Sequence, residues 1–155
     1  MKVEGTYTLN GPRKLVWELL QDPDVLVKSL PGGKELRRTS EDHFEGTMHV
    51  GVGPVTAAKF SITVELLHKV HPESFTMSIE GTSAIGFTRG TADVRLAAPN
   101  DSETTMNYRA DLQIGGKIAA VGQRLLDTVS KAMTRQGLKV LNKELQMKLD
   151  EATGS

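Results

Sequence analysis

The chain predicts an α+β domain: a curved antiparallel sheet of about seven strands wrapped around a long C-terminal helix, with two short helices after the first strand. Three observations carry this. Apolar and polar residues alternate along most of the chain between residues 44 and 114, the period of half-buried strands. Beyond Gly115-Gly116 the period changes, and Ile118, Val121, Leu125, Val129 and Ala132 recur at helical spacing on one face. A sheet cannot bury its apolar face alone, so that stripe is its cover.

The elements follow in order. Val3, Gly5, Tyr7 and Leu9 alternate with Glu4, Thr6 and Thr8, a first strand with one buried face. Asn10-Gly11-Pro12 stops it; Asn10 or Gly11 can cap a helix, and Pro12 suits its first turn. Leu15, Val16, Leu19 and Leu20 give that helix its apolar side. Asp22-Pro23 breaks it, a further helical turn runs through Leu26, and Pro31-Gly32-Gly33 ends the excursion. One face then carries Phe44, Gly46, Met48, Val50 and Val52. After a turn at Gly53-Pro54 the next carries Ala58, Phe60, Ile62, Val64 and Leu66. Phe75, Met77 and Ile79 form another set, then Ala92, Val94 and Leu96, then Met106, Tyr108, Ala110, Leu112 and Ile114. Hairpin-length gaps make a sequential antiparallel meander the economical topology. The order is strand, two short helices, six strands, long helix, which is that of the helix-grip fold.

The whole chain sets further bounds. Its 155 residues suit one domain, expected to run to about residue 150 with a frayed tail at 151–155. The 19 basic and 19 acidic residues balance, which argues against a nucleic-acid binder. There is no cysteine, so disulfides and thiolate chemistry are excluded. The N-terminus is charged at once, unlike a signal peptide, and no apolar run approaches the roughly 18 to 20 residues that span a bilayer. A cytoplasmic protein is the expectation.

Several segments together resemble one family. They are Pro12 to Trp17 with Asp22-Pro23, Leu30-Pro31-Gly32, Val52-Gly53-Pro54-Val55 with Phe60, Gly86-Phe87-Thr88-Arg89-Gly90, and Gly115-Gly116-Lys117 through Gly122 with Arg124-Leu125. In this order and spacing the chain resembles the carbon monoxide dehydrogenase G-subunit family of the START/polyketide-cyclase (SRPBCC) superfamily. The resemblance implies an accessory protein of a molybdenum hydroxylase such as carbon monoxide dehydrogenase, not the oxidoreductase itself. It further implies membrane recruitment of that enzyme, at the inner face of the cell membrane, and handling of a lipophilic electron acceptor such as a quinone. Members often carry a Cys before the Pro-Gly that follows the short helices. Ser29 lies in that region here, so no thiol role carries over.

The residues themselves point to binding more than to reaction. A metal site needs three or four converging ligands. His43 and His49 lie on the solvent side of their strand, while His68 and His71 flank a turn without acidic partners, so no metal is expected. Tyr7 and Tyr108 are the only titratable side chains in the inward phase, and no nucleophile elbow, phosphate loop or dinucleotide fingerprint appears. No catalytic residue is assigned. Small residues (Gly46, Ala58, Ala92, Ala110) sit among large inward ones, and one Trp, two Tyr and four Phe are few aromatics for so broad a sheet. Interiors are close-packed, so leftover volume implies an occupant, and an apolar ligand fits best. Phe60, Ile62, Met77, Ile79, Met106, Tyr108, Val121 and Leu125 are the expected lining. Leu30 and Phe87 are expected at the mouth, among glycine- and proline-rich loops at 26–33, 51–55 and 81–90. A quinone or other lipophile is the expected bound group. The rivals are a small cyclase- or hydrolase-like enzyme using the same cavity, and a filled-core interaction adaptor.

The last helix poses a separate question. Leu138, Leu141, Leu145 and Leu149 form a second stripe, rotated roughly half a turn from the first at ~100° per residue. One straight helix cannot press both against one sheet. Either the chain breaks at Gly137 and folds back, or an amphipathic extension from about residue 138 overhangs. Its leucines, with Lys139 and Lys143 beside them, would then meet a membrane, a partner or a second copy. On the second reading a chain ending after Gln136 still folds.

Overall fold

Alternating apolar faces become stable when successive strands share them, and here seven do. The computed structural model describes residues 1–52 and 55–152; the expected turn at Gly53-Pro54 and the last three residues of the expected tail lie outside the described residues. Strand β1 (Lys2–Leu9) leads into helices α1 (Arg13–Leu20) and α2 (Pro23–Ser29). Strands β2 (Gly33–Ser40), β3 (His43–Val52), β4 (Val55–Val70), β5 (Ser74–Ser83), β6 (Gly86–Asn100) and β7 (Glu103–Gly115) follow. A 3-10 turn (Lys117–Val121) precedes helix α3 (Gln123–Ala152). The sheet order is β1-β7-β6-β5-β4-β3-β2 with every pair antiparallel, so β2 to β7 form the expected meander and β1 closes beside β7.

Local chemistry accounts for the helices. Asp22 caps α2, its Oδ1 accepting from the Asp24 amide at 2.9 Å, and Pro23 takes the first helical position, where its missing N–H costs nothing. Pro12, rather than Asn10 or Gly11, occupies the N-cap of α1, and its carbonyl accepts from the Leu15 and Val16 amides. Asn10 has a different duty. Its amide donates to Asn142 Oδ1 at 3.1 Å and its carbonyl accepts from Gln146 Nε2 at 2.9 Å, tying the end of β1 to α3. The strand without an expected apolar set is β2, an edge strand whose only buried residue is Leu36. The 81–90 segment, expected as a loop, is a hairpin paired from Ser83↔Gly86 onward.

The C-terminal region overturns both readings of its second stripe. Helix α3 runs unbroken through Gly137 and does not overhang. Leu141 is 4% exposed and Leu145 0%, with Leu138 and Leu149 half-buried against the same core; only Lys139 and Lys143 stand in solvent. The reason is that α3 meets two different surfaces. Its second half packs on α2 and α1, which lie to one side of the sheet, so the apolar stripe must change face where the neighbour changes. Two glycines permit the close fit. A methyl group on Gly11 would come within 2.8 Å of Leu145 Cδ1, and one on Gly137 within 2.5 Å of the Ser29 carbonyl oxygen. The long helix also starts later than expected. Ile118 and Val121 belong to the 3-10 turn, and Gly122, at φ +99°, separates it from α3.

Two outcomes follow for stability. Leu145→Ala should cost about 2–5 kcal/mol, the range for emptying a fully buried leucine site, in denaturant unfolding. A chain ending after Gln136 loses Leu141 and Leu145 together and should give no cooperative transition.

Candidate ligand-binding trough

The sheet's concave face divides into a packed part and an unpacked part. In the packed part Phe44, Phe60, Ile62, Val64, Leu66 and Phe75 are at most 5% exposed and share one core with α1 and the second half of α3. Trp17 of α1 fastens that end, its ring meeting Phe75 edge-on at 5.4 Å and His71 at 5.3 Å. Beyond Phe75, Val94 and Met106 along β5, β6 and β7, the inward side chains are less deeply buried. Val3, Ala110, Ala92 and Met77 form one continuous cross-strand row, and Leu112, Gly90 and Ile79 the next. All are inward by parity and only half-buried. Val3, Ile79, Ala92, Ala110 and Leu112 do not join the packed core at all.

The main backbone approaches of α3 are to α2, α1, β1, β3 and the 3-10 turn; it makes no comparable approach to β4, β5, β6 or β7. Leu125 and Val129 on its first half are half-buried, and Ala132 is exposed. We read these half-buried apolar side chains, with small residues at the Ala92↔Ala110 pair, as a candidate apolar trough beneath the first half of α3.

The expected lining residues sort accordingly. Met77, Ile79, Tyr108, Val121 and Leu125 border the trough, half-buried. Phe60, Ile62 and Met106 (4%, 5% and 5% exposed) are packed into the core beside it, leaving no open surface to a ligand. Leu30 is half-buried against the core, at the end of α2. Phe87 is on the wrong side for a mouth residue. It shares the outward phase of β6 with Arg89, whose guanidinium carbon sits 5.1 Å over its ring, and it covers Gly115, where a methyl would meet the ring at 2.4 Å. Strand parity held this answer, but the glycines around Phe87 had suggested a loop, to which parity does not apply. Val3 and Leu112 belong to the trough as well. Their inward phase is legible, whereas the absence of packing above them is a property of where α3 is held.

Two other depressions are polar and open to solvent. One, of about 450 Å³, lies by α1 and is lined by Trp17, Gln21, Asp22, Arg38 and His71 among others. The Gln21 amide nitrogen and oxygen are buried there without partners, yet they are shut away from the surface. The second, about 590 Å³, lies on the outer face of β1, β7 and β6, where Glu4 pairs with Arg109 at 3.1 Å and Thr6 with Asn107 at 2.7 Å. Among the described residues no group of three His, Asp or Glu converges on one point.

A seven-stranded antiparallel sheet gripping a terminal helix, with two short helices after the first strand, is the START-like helix-grip architecture. The chain belongs to the carbon monoxide dehydrogenase G-subunit (CoxG) family, whose sequence model matches residues 5–146. No curated protein sequence matches the chain. Among solved structures it is similar to a conserved protein from Geobacillus kaustophilus, at 28% identity and TM-score 0.88, over 95% of this chain and 96% of that one. It shares its fold with the ZhuI aromatase/cyclase from Streptomyces sp. R1128, at 16% identity and TM-score 0.71, covering 96% and 95% of the two chains. A START superfamily protein from Mycobacterium smegmatis has the same fold at 8% identity and TM-score 0.72, covering 94% and 97%.

Filling the trough should separate binding from folding. Ala110→Phe should abolish binding of a hydrophobic fluorescent probe while leaving the melting temperature nearly unchanged, because the ring enters open space. Ile62→Trp should instead lower stability by about 1–3 kcal/mol, the usual cost of overpacking. Probe affinity that survives Ala110→Phe would place binding elsewhere.

Proposed function

We propose that this protein is a non-enzymatic accessory protein that carries a lipophilic molecule, quinone-like or a lipid, in the trough. It would serve a molybdenum hydroxylase of the carbon monoxide dehydrogenase type, by membrane recruitment or by delivery of the electron acceptor. The single observation behind the binding part is the set of half-buried inward side chains, Val3, Ile79, Ala92, Ala110 and Leu112, that do not join the packed core. Exposed apolar surface in a concave, preformed site is what a lipophile buries, at roughly 25 cal/mol per Å². The partner enzyme rests on membership of the CoxG family. Among the described residues the inward positions of β1, β5, β6 and β7 bring no acid–base pair together, which supports carriage over catalysis.

Membrane contact requires a different surface from the leucine stripe, because Leu141 and Leu145 are core residues. Lys131, Arg135, Lys139 and Lys143 recur every four residues along the exposed side of α3, and none has an ion-pair partner among the described residues. Such a ridge suits anionic headgroups, at roughly 1 kcal/mol per cation near the surface. Among the described residues no helix is long and apolar enough to cross a membrane.

Organic extraction of the purified protein followed by mass spectrometry tests the carrier reading, with a stoichiometric isoprenoid or lipid as the expected result. A trough that neither releases a lipophile nor takes up an added one would refute it. Binding to anionic vesicles should weaken in Lys139→Gln/Lys143→Gln and at high salt, and should be insensitive to Leu138→Gln, as read by vesicle sedimentation.

A further inference from the structure

The concave face carries few polar groups, and among the described residues Tyr7, Tyr108 and, further along β6, Thr88 have no side-chain partner. Tyr7 on β1 and Tyr108 on β7 both point inward. Tyr7 pairs with Met106 and Tyr108 with Gly5, which makes the two phenols diagonal neighbours across one antiparallel pair, within reach of one another's side chains. The Tyr108 ring lies across Gly5, where a methyl group would come within 2.6 Å of the phenol oxygen. Neither hydroxyl makes a hydrogen bond to the described residues, and neither is sealed from solvent. Thr104, further down the same face of β7, shows the contrast. It is fully buried and its hydroxyl donates to the Gly11 carbonyl at 2.8 Å, so the packed part of the interior satisfies its own hydroxyl.

Position gives the open phenols their meaning. Tyr108 stands next to Ala110 on the inward face of β7 and opposite the buried Val94 of β6, at the boundary between trough and core. Beyond it the floor is apolar, formed by Ala110, Ala92, Leu112 and Ile79. The trough thus has one end with two hydrogen-bond donors, and an apolar stretch between them and Thr88. No Lys or Arg occupies an inward position on β1, β5, β6 or β7. A carboxylate or phosphate held there would be a poorly compensated charge, so the acceptor these donors fit is neutral.

We propose that Tyr7 and Tyr108 form the polar end of the trough and donate hydrogen bonds to a neutral carbonyl-type oxygen of the bound lipophile, selecting carbonyl-bearing lipophiles over hydrocarbons of the same shape. This rests on the trough being a lipophile site. The selection is set by hydroxyl groups alone, because phenylalanine in their place would keep the apolar wall.

Octanophenone and octylbenzene, which differ only in carbonyl against methylene, test it by displacement of a fluorescent hydrophobic probe. The unaltered protein should prefer octanophenone by roughly threefold to tenfold, the range of one net hydrogen bond. Tyr7→Phe and Tyr108→Phe should each reduce that preference, and the double variant should remove it while octylbenzene affinity stays as it was. The infrared carbonyl stretch of bound octanophenone should lie at lower frequency in the unaltered protein and return toward its value in hydrocarbon in the double variant. A preference that persists in the double variant, or an unaltered protein that binds both compounds equally, overturns the proposal and leaves the lipophile reading standing. If neither compound binds, the lipophile reading falls and this proposal with it.

Discussion

The second half of α3 is held against α1 and α2, and the geometry of everything else depends on that attachment. Leu145 enters a notch left by Gly11, while Gly137 lets the Ser29 carbonyl approach the helix backbone. Asn10, Asn142 and Gln146 add hydrogen bonds at the end of β1. An ion pair, Lys28 to Glu144 at 3.6 Å, joins α2 to α3, but the lysine side chain is 57% exposed. Pairs of that kind contribute about 0–1 kcal/mol, against about 2–5 for a fully buried leucine, so the attachment is mainly apolar. It is also close, since neither contact glycine has room for a side chain.

A helix fixed at one end need not follow the sheet at the other. Packed interiors are dense, and an uncommitted helix would settle onto the floor below it. Here the first half of α3 buries Leu126 but leaves Leu125 and Val129 half-buried, and Gly122, at φ +99°, separates it from the 3-10 turn. Small residues at Ala92 and Ala110 deepen the space that results. The trough is therefore a product of the core and is not a defect in it: well-packed side chains at one end keep the other end open.

Much of this was legible in the sequence, for reasons specific to each element. Strand parity placed the inward residues of β1 and β3 to β7 because one face of each is apolar. It failed for β2, an edge strand reading Gly-Lys-Glu-Leu-Arg-Arg-Thr-Ser, where one leucine has to stand for a whole face. It was not applied near Phe87, where flanking glycines imitate a loop inside a paired hairpin. The change of face in the last helix was visible residue by residue, yet its cause was not. Two apolar stripes imply two neighbours, and the sequence names no neighbour. The short helices supply the second surface. Division of the candidate lining into packed and open members was likewise beyond the sequence, because Phe60 and Ile79 carry the same periodicity and differ only in what lies above them.

The division of α3 at Gly137 bears on how such a chain can change over time. On the proposed carrier reading, positions 138–149 and the half-buried positions 125 and 129 answer to separate demands, the first to folding and the second to cargo. A substitution at Leu125 or Val129 alters the roof of the trough without disturbing Leu141 or Leu145, which keep the domain intact. The floor is similarly independent, since Ala92 and Ala110 stand outside the packed core. A lineage built on this frame can thus acquire a new ligand by small steps, none of which has to pass through an unfolded intermediate sequence.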